Sequence, residues 1–264
     1  MKILNFLFSR SKQEQDKPIR DKLKTRKDFE RVLAEDLDIM ETTKARMDTA
    51  KNINLYMYRS LSYSYILILQ SKYSVDAKID ELRDIYIKSM YYFLQAFNKR
   101  NPIYADILNY VSLGVLLNIP DNNFRQLIDY VKQMDKQAKP SGWTPDLLLW
   151  FMLNSRMKEQ EKQKYAETLA YPRLYNGLYK VIQAPNAAAA KDALSKYLDR
   201  WYNLNSNAPW YNSHLKDNSY RGYWAWEVAA VAKIMHIDDS DLKNNQYYPY
   251  DMVHWADNET TAKE

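Results

Sequence analysis

The sequence predicts an all-α protein built as an array of antiparallel helical hairpins. Apolar residues recur at intervals of three and four along most of the 264 residues, which is the spacing of helices with one buried face. No stretch of four or more residues alternates convincingly between apolar and polar side chains, as a half-buried strand would. We therefore expect two helical subdomains that pack together as one elongated or compact unit.

The first half of the chain contains five predicted helices. In the first of them, Phe29, Leu37 and Met47 belong to one apolar stripe. The fourth opens with Asn101 as a cap and Pro102 in the first turn, where a missing N–H costs nothing. The five segments are, in order, Thr25 to Lys51, Asn52 to Tyr73, Lys78 to Phe97, Asn101 to Asn118, and a helix that restarts at Asp121.

The second half contains four longer helices and a shorter restart. Asp and Ser residues near position 239 accept from the free N–H groups of a new first turn, so we expect a stop and a restart there. Pro249 should then halt regular structure. The four helices are predicted from Thr144 through Met152, from Tyr165 to Val181, from Asn186 to Tyr202, and from Gly222 to His236.

Composition and charge suggest three domains. Residues 1–24 form a basic N-terminal arm, residues 25–136 an N-terminal helical domain, and residues 137–264 a C-terminal helical domain. The boundary follows from the segment KQAKPSG at residues 136–142, which is polar and contains Pro-Ser-Gly. Residues 1–27 hold nine Lys or Arg and three acids, which accounts for the surplus behind the formal charge of +5.

Several function classes are excluded by what the sequence lacks. Cysteine is absent, so disulfides, thiolate nucleophiles and cysteine-ligated metals are excluded. The four glycines lie too far apart to form a phosphate-binding loop. The N-terminal apolar run is too short for a signal peptide, and no run approaches the roughly 20 residues that cross a bilayer. We therefore expect a soluble cytoplasmic protein with no cofactor and no metal.

Glu227 is the one acid on an otherwise apolar helix. A buried acid needs a partner, and an indole N–H, a tyrosine hydroxyl or Arg221 could supply one. A catalytic carboxylate with a raised pKa is the other interpretation. No nucleophile–base pairing accompanies Glu227 in the sequence, so we expect no catalytic residue and no enzyme activity.

Tyrosine is unusually frequent, with 23 residues, and several tyrosines fall in predicted loops beside aspartates. Aromatic rings lose little conformational entropy when they dock against a partner. Loop tyrosines next to acids are therefore typical of a protein-binding face.

Four motifs follow one another near the C-terminus. They are Gly222-Tyr223-Trp224 with Glu227, the alanine-rich segment from Ala229 to Lys233, the step from Asp238 to Ser240, and the segment from Tyr247 to Asp251. In this order they resemble the C-terminal domain of the PoNi proteins, the immunity partners of PoNe-type DNase toxins. Within this resemblance Gly222, Tyr223, Trp224, Glu227 and Pro249 are the structural signature.

The resemblance implies an immunity protein. It would bind a cognate nuclease toxin delivered by a bacterial secretion system, such as the type VI system used in interbacterial competition, and occlude the nuclease domain stoichiometrically. We expect no small-molecule substrate, no membrane partner and no direct binding to nucleic acid. The candidate toxin-binding residues are Asp238, Asp239, Asp241, Tyr247, Tyr248, Asp251, Trp210, Tyr211 and His214.

The alternative is a helical nucleic-acid-binding protein that uses the basic N-terminal arm. Its affinity for DNA would fall steeply as salt rises, because binding would release counterions from the phosphates. The immunity hypothesis instead predicts no intrinsic affinity for DNA.

Overall fold

A computed structural model describes residues 18–97, 103–136, 143–216 and 219–255. Within these ranges the chain contains helices and no strand, which confirms the predicted all-α class. The α-helices are α1 (Arg26–Thr49), α2 (Leu55–Val75), α3 (Ile79–Ala96), α4 (Tyr104–Leu116), α5 (Asp121–Lys136), α6 (Leu147–Asn154), α7 (Pro172–Ile182), α8 (Ala187–Leu204), α9 (Trp226–Met235) and α10 (Tyr250–His254). No helix of the described ranges is long and apolar enough to cross a membrane.

Polar caps set several helix starts where the sequence places them. The carboxylate of Asp28 accepts from the backbone N–H of Thr25 at 3.0 Å, and the Thr25 hydroxyl accepts from the backbone N–H of Asp28. This reciprocal pair satisfies N–H groups that the first turn leaves without partners. Asp146 and Asn186 cap α6 and α8, each by accepting one backbone N–H through its side-chain oxygen. Helix α6 begins at Leu147, three residues after the predicted start at Thr144.

Other boundaries differ from the prediction. Helix α7 begins at Pro172 instead of Tyr165, because proline suits the first turn and disfavours helical backbone before it. Helix α9 begins at Trp226, since Gly222 has a φ of 108° that a helix does not allow. The short helix α10 follows Pro249, where we expected regular structure to stop. The predicted start at Asn101 lies outside the described residues.

The chain divides into two compact units, and the first consists of residues 1–97 and 212–223. In its described part α2 packs against both α1 and α3. The segment 212–223 joins these helices through Arg221, whose Nε and Nη2 donate to the two oxygens of Asp36 at 2.8 Å each. Arg221 and Asp36 are both buried. Burial raises the pKa of Asp36, and the hydrogen bonds from Arg221 oppose that rise.

The second unit consists of residues 98–211 and 224–264. Helix α9 is its centre, since it contacts α4, α6, α7, α8 and α10. Residues 226–232 are buried without exception, so this helix has no exposed face over two turns. Its alanines let the surrounding helices approach closely. The domain boundary at residue 136 stays a prediction. The basic arm at residues 1–24 also stays a prediction, and residues 1–17 of it lie outside the described ranges.

Gly177 allows α7 and α8 to pack closely. A Cβ atom at this position would overlap Cδ2 of Tyr197, a buried ring of α8. We expect Gly177→Ala to destabilise the protein by about 1–3 kcal/mol, because the overlap outweighs the roughly 1 kcal/mol by which alanine favours a helix. Urea unfolding measures the change. Asn176→Ala, at an exposed position in the same turn, is the control, and equal stability of Gly177→Ala and wild type would contradict the packing argument.

Candidate functional site

Five aromatic rings form a stack on the second unit. Trp201 and Tyr202 belong to α8, Trp210 and Tyr211 lie in the following loop, and Tyr247 comes from the segment before α10. Trp201 stacks on Trp210 with ring centroids 5.4 Å apart, and Tyr202 lies between Tyr211 at 4.5 Å and Tyr247 at 5.3 Å. We call these five residues the aromatic stack. All except Trp201 are half-buried, so the stack is fixed by its own packing and still reaches solvent.

The structure thus brings together three of the candidate residues: Trp210, Tyr211 and Tyr247. Trp201 and Tyr202, which complete the stack, were not among the candidates. The signal that could have found them is the Trp-Tyr pair itself, which occurs at residues 201–202 and again at 210–211.

Two candidate aspartates form an exposed acidic turn around one lysine. The Nζ of Lys191 lies 2.7 Å from Oδ2 of Asp238 and 2.8 Å from Oδ2 of Asp241. The hydrogen bond from Lys191 holds the pKa of Asp238 well below its usual range, and a hydrogen bond within the turn to Ser240 adds to this. Two carboxylates against one ammonium leave the turn negatively charged. Both aspartate side chains remain about 70% exposed.

Asp239, by contrast, is buried and holds two other side chains. Its Oδ2 accepts from the Tyr248 hydroxyl at 2.7 Å, and its Oδ1 lies 2.8 Å from Nε2 of His254. Burial and then the hydrogen bond to Asp239 raise the pKa of Tyr248. Asp239 and Tyr248 are each 2% exposed. In the free chain these two candidate toxin-binding residues therefore have a structural role, since they link the segment after α9 to the segment that leads into α10.

The remaining candidates lie elsewhere. Asp251 is half-buried in α10. His214 belongs to the first unit, where its Nδ1 lies 2.9 Å from the hydroxyl of Tyr223. The backbone N–H of His214 also donates to that hydroxyl at 3.0 Å. In the described ranges no three His, Asp or Glu side chains converge as metal ligands.

The signature residue Glu227 forms a buried hydrogen bond with Trp201 of the aromatic stack. Its Oε1 accepts from the indole Nε1 of Trp201 at 2.6 Å, so the partner is an indole N–H, one of the three kinds predicted from the sequence. Burial raises the pKa of Glu227 to about 7, although its own backbone N–H and the indole oppose the shift. Gly222, Tyr223, Trp224 and Pro249 are buried as well, which suits a structural role for the signature.

The raised pKa of Glu227 predicts a pH dependence of stability. The folded chain retains this proton between about pH 4.5 and 7, where the unfolded chain has lost it. The contribution is therefore fully present below pH 4.5 and disappears as pH rises through about 7. The shift corresponds to about 3 kcal/mol. Urea unfolding at pH 5 and pH 8 should show wild type losing about 2.5 kcal/mol more than Glu227→Gln, because part of the contribution is already lost at pH 5. The glutamine keeps an acceptor for Trp201 and cannot ionise. Parallel pH profiles would contradict the assignment.

Comparison with known proteins places this architecture in a family. No curated protein matches the chain. The crystal structure of Protein PA2201 from Pseudomonas aeruginosa is similar, with a TM-score of 0.72 over 97% of this chain and 95% of that one. At 18% identity this likeness shows the fold alone. The model of the PoNe immunity protein (PoNi) N-terminal domain matches residues 11–129, and that of the PoNi C-terminal domain matches residues 144–252. The chain therefore belongs to the PoNi family of PoNe immunity proteins.

Proposed function

We propose that this protein neutralises a cognate PoNe nuclease toxin by binding its nuclease domain stoichiometrically. The bound immunity protein would block access of DNA to the toxin or cover the catalytic groups. The observation that carries this proposal is the aromatic stack, because it presents rigid, half-exposed rings of the kind that contribute most to protein–protein affinity. Rings already held by stacking lose little conformational entropy on binding.

The charge of the C-terminal segment also suits a nuclease partner. Residues 236–264 contain seven acids and two lysines, although the whole chain carries a formal charge of +5. Asp238 and Asp241 share the single cation Lys191, so the acidic turn keeps a net negative charge. In the sequence Asp241 lies six residues before Tyr247 of the aromatic stack. A nuclease needs a positive cleft to bind DNA, and such a cleft attracts an acidic surface. Complementarity would therefore be local and would not require an acidic protein.

Neutralisation by binding needs no chemistry from the immunity protein. We propose accordingly that it is not an enzyme and that its partner is a protein. A toxin that degrades chromosomal DNA acts in the cytoplasm, so the inhibitor would act there too. Delivery of the toxin by a type VI secretion system would make this chain a component of interbacterial competition.

Co-expression tests this function directly. Cells that express the neighbouring PoNe toxin should grow when they also express this protein, and the two chains should co-purify as a stable complex. The same purified protein should show no affinity for duplex DNA. Absence of protection and of complex, together with DNA binding that weakens steeply as salt rises, would favour the nucleic-acid alternative instead.

Asp241 tests whether the acidic turn contacts the toxin. Asp241→Lys should leave the melting temperature nearly unchanged, since an exposed ion pair contributes little to stability and Asp238 still neutralises Lys191. Binding of the toxin should weaken at least tenfold at low salt, because close interfacial charge pairs couple by about 1.5–7 kcal/mol. Calorimetric titration measures the change.

Glu159→Lys is the matched control, since Glu159 is a similarly exposed acid paired with Lys162. It should bind the toxin as wild type does. Equal affinity of wild type and Asp241→Lys would show that the acidic turn lies outside the interface.

A further inference from the structure

Helix α2 in the first unit has almost no charged residues. Arg59 and Lys72 are the two charged residues among its 21, and it contains no acid. A surface helix normally carries a charged face opposite its apolar one, and a helix that lacks this face is normally covered on all sides. The composition of α2 is therefore that of a helix with neighbours all round.

One face at the N-terminal end of α2 nevertheless lacks cover, although Leu61 and Tyr65 on other faces of the same half are buried. Residues 37–60, which span the end of α1 and the start of α2, include no buried side chain. Tyr56 is 77% exposed and Tyr63 64% exposed, and Leu55 is exposed as well. Helices depend mainly on the packing of an apolar face for their stability, so this exposure needs an explanation.

The exposed residues Leu55, Tyr56, Arg59 and Tyr63 share one face of α2 with the half-buried Ile66 and Leu67. At about 100° per residue, these six positions fall within one third of the helix circumference. We call these six residues the open stripe. The opposite side of α2 is occupied by α3, where the Ser89 hydroxyl donates to the Ser62 carbonyl at 2.8 Å and Tyr92 stacks on Tyr65 at 5.8 Å.

The chain itself covers the C-terminal continuation of this stripe. Gln70 Nε2 donates to the Gly222 carbonyl at 2.7 Å, and the Ser74 hydroxyl donates to the Arg221 carbonyl at 2.8 Å. Both Gln70 and Ser74 lie on the same face as Tyr63, about two and three turns further along. The segment 220–223 thus shows what covers the face at one end, and nothing described covers it at the other.

Arg59 determines which partner fits the open stripe. Its guanidinium carbon lies 5.8 Å from the centroid of the Phe97 ring, and no carboxylate of the described residues forms an ion pair with it. A partner that buries this face must therefore supply an acid, because an unpaired buried guanidinium is costly. Pairing of two copies through α2 would bring Arg59 near Arg59 with no acid on either helix. The basic N-terminal arm and a DNA-binding cleft are both positively charged, so neither would supply the acid that Arg59 needs.

We propose that the open stripe binds an apolar surface of the cognate toxin that carries a carboxylate opposite Arg59 and lies outside the DNA-binding cleft. This inference rests on the proposed function. It gives the toxin two contacts of different chemistry, since the acidic turn suits the basic cleft and the open stripe suits an acidic, apolar surface. A contact outside the cleft would let the immunity protein recognise features of the toxin that DNA binding does not constrain.

Titration of the catalytically inactivated nuclease toxin encoded beside this chain tests the proposal. The double variant Tyr56→Ser/Tyr63→Ser and the single variant Arg59→Glu should each bind at least tenfold more weakly than wild type. Their controls are Tyr91→Ser and Lys88→Glu, which alter an exposed tyrosine and an exposed cation of α3 outside the stripe. Both controls should bind as wild type does. Circular dichroism should show that each variant remains folded.

The sign of the Arg59→Glu effect is decisive. Weaker binding supports an acidic surface on the toxin, whereas tighter or unchanged binding overturns the proposal. Light scattering of the free protein provides a second readout: a dimer of wild type that the tyrosine variant dissociates would identify a second copy as the occupant and also overturn it. If wild type itself fails to bind the toxin, the proposed function is wrong. If wild type and the stripe variants bind the toxin equally well, the proposed function stands and only the open stripe is excluded as a contact.

Discussion

The second unit depends on burying a helix that has no exposed face. Residues 226–232 of α9 are all buried, and one of them is a carboxylic acid. An unpaired buried carboxyl would cost several kcal/mol, so Glu227 must have a partner before α9 can occupy the centre. Trp201 provides it from α8 through a 2.6 Å hydrogen bond. The position of the indole is thereby fixed from inside the core.

This internal hydrogen bond has a consequence at the surface. The Trp201 ring that donates to Glu227 also stacks on Trp210, and Tyr202, the next residue of α8, stacks on Tyr211 and Tyr247. The half-exposed rings that we propose for toxin binding are thus continuous with the core. A residue of the structural signature can therefore position a proposed binding face, because the buried Glu227 holds the indole of Trp201 against which Trp210 stacks.

The first unit uses a buried ion pair for a related purpose. Arg221 and Asp36 form two hydrogen bonds across a separation of 185 residues. They hold the segment 220–223 against α1, while Gln70 and Ser74 bind it to the end of α2. Removal of either partner would leave a buried charge, which is strongly destabilising. Since this segment covers one end of the face that contains the open stripe, the ion pair also sets where that stripe ends.

Local sequence by itself determined the all-α class and most helix starts. Thr25, Asp146 and Asn186 act within three residues of their own positions, so the pattern of caps and apolar spacing was sufficient. The four C-terminal motifs also identified the family, which both family models confirm. Helix starts failed where a backbone requirement overrode the apolar pattern, as at Gly222 and Pro172.

Tertiary structure alone decided which polar residues pair. Arg221 was a candidate partner for Glu227 and instead binds Asp36. Asp239, a candidate contact residue and a possible cap, is buried beneath Tyr248 and His254. Asp241 forms an ion pair with Lys191, which lies fifty residues earlier in the sequence, and no local sequence pattern predicts this pairing. Helix periodicity reports which face of a segment is apolar, but it carries no information on which distant side chain the packing brings against a given carboxylate.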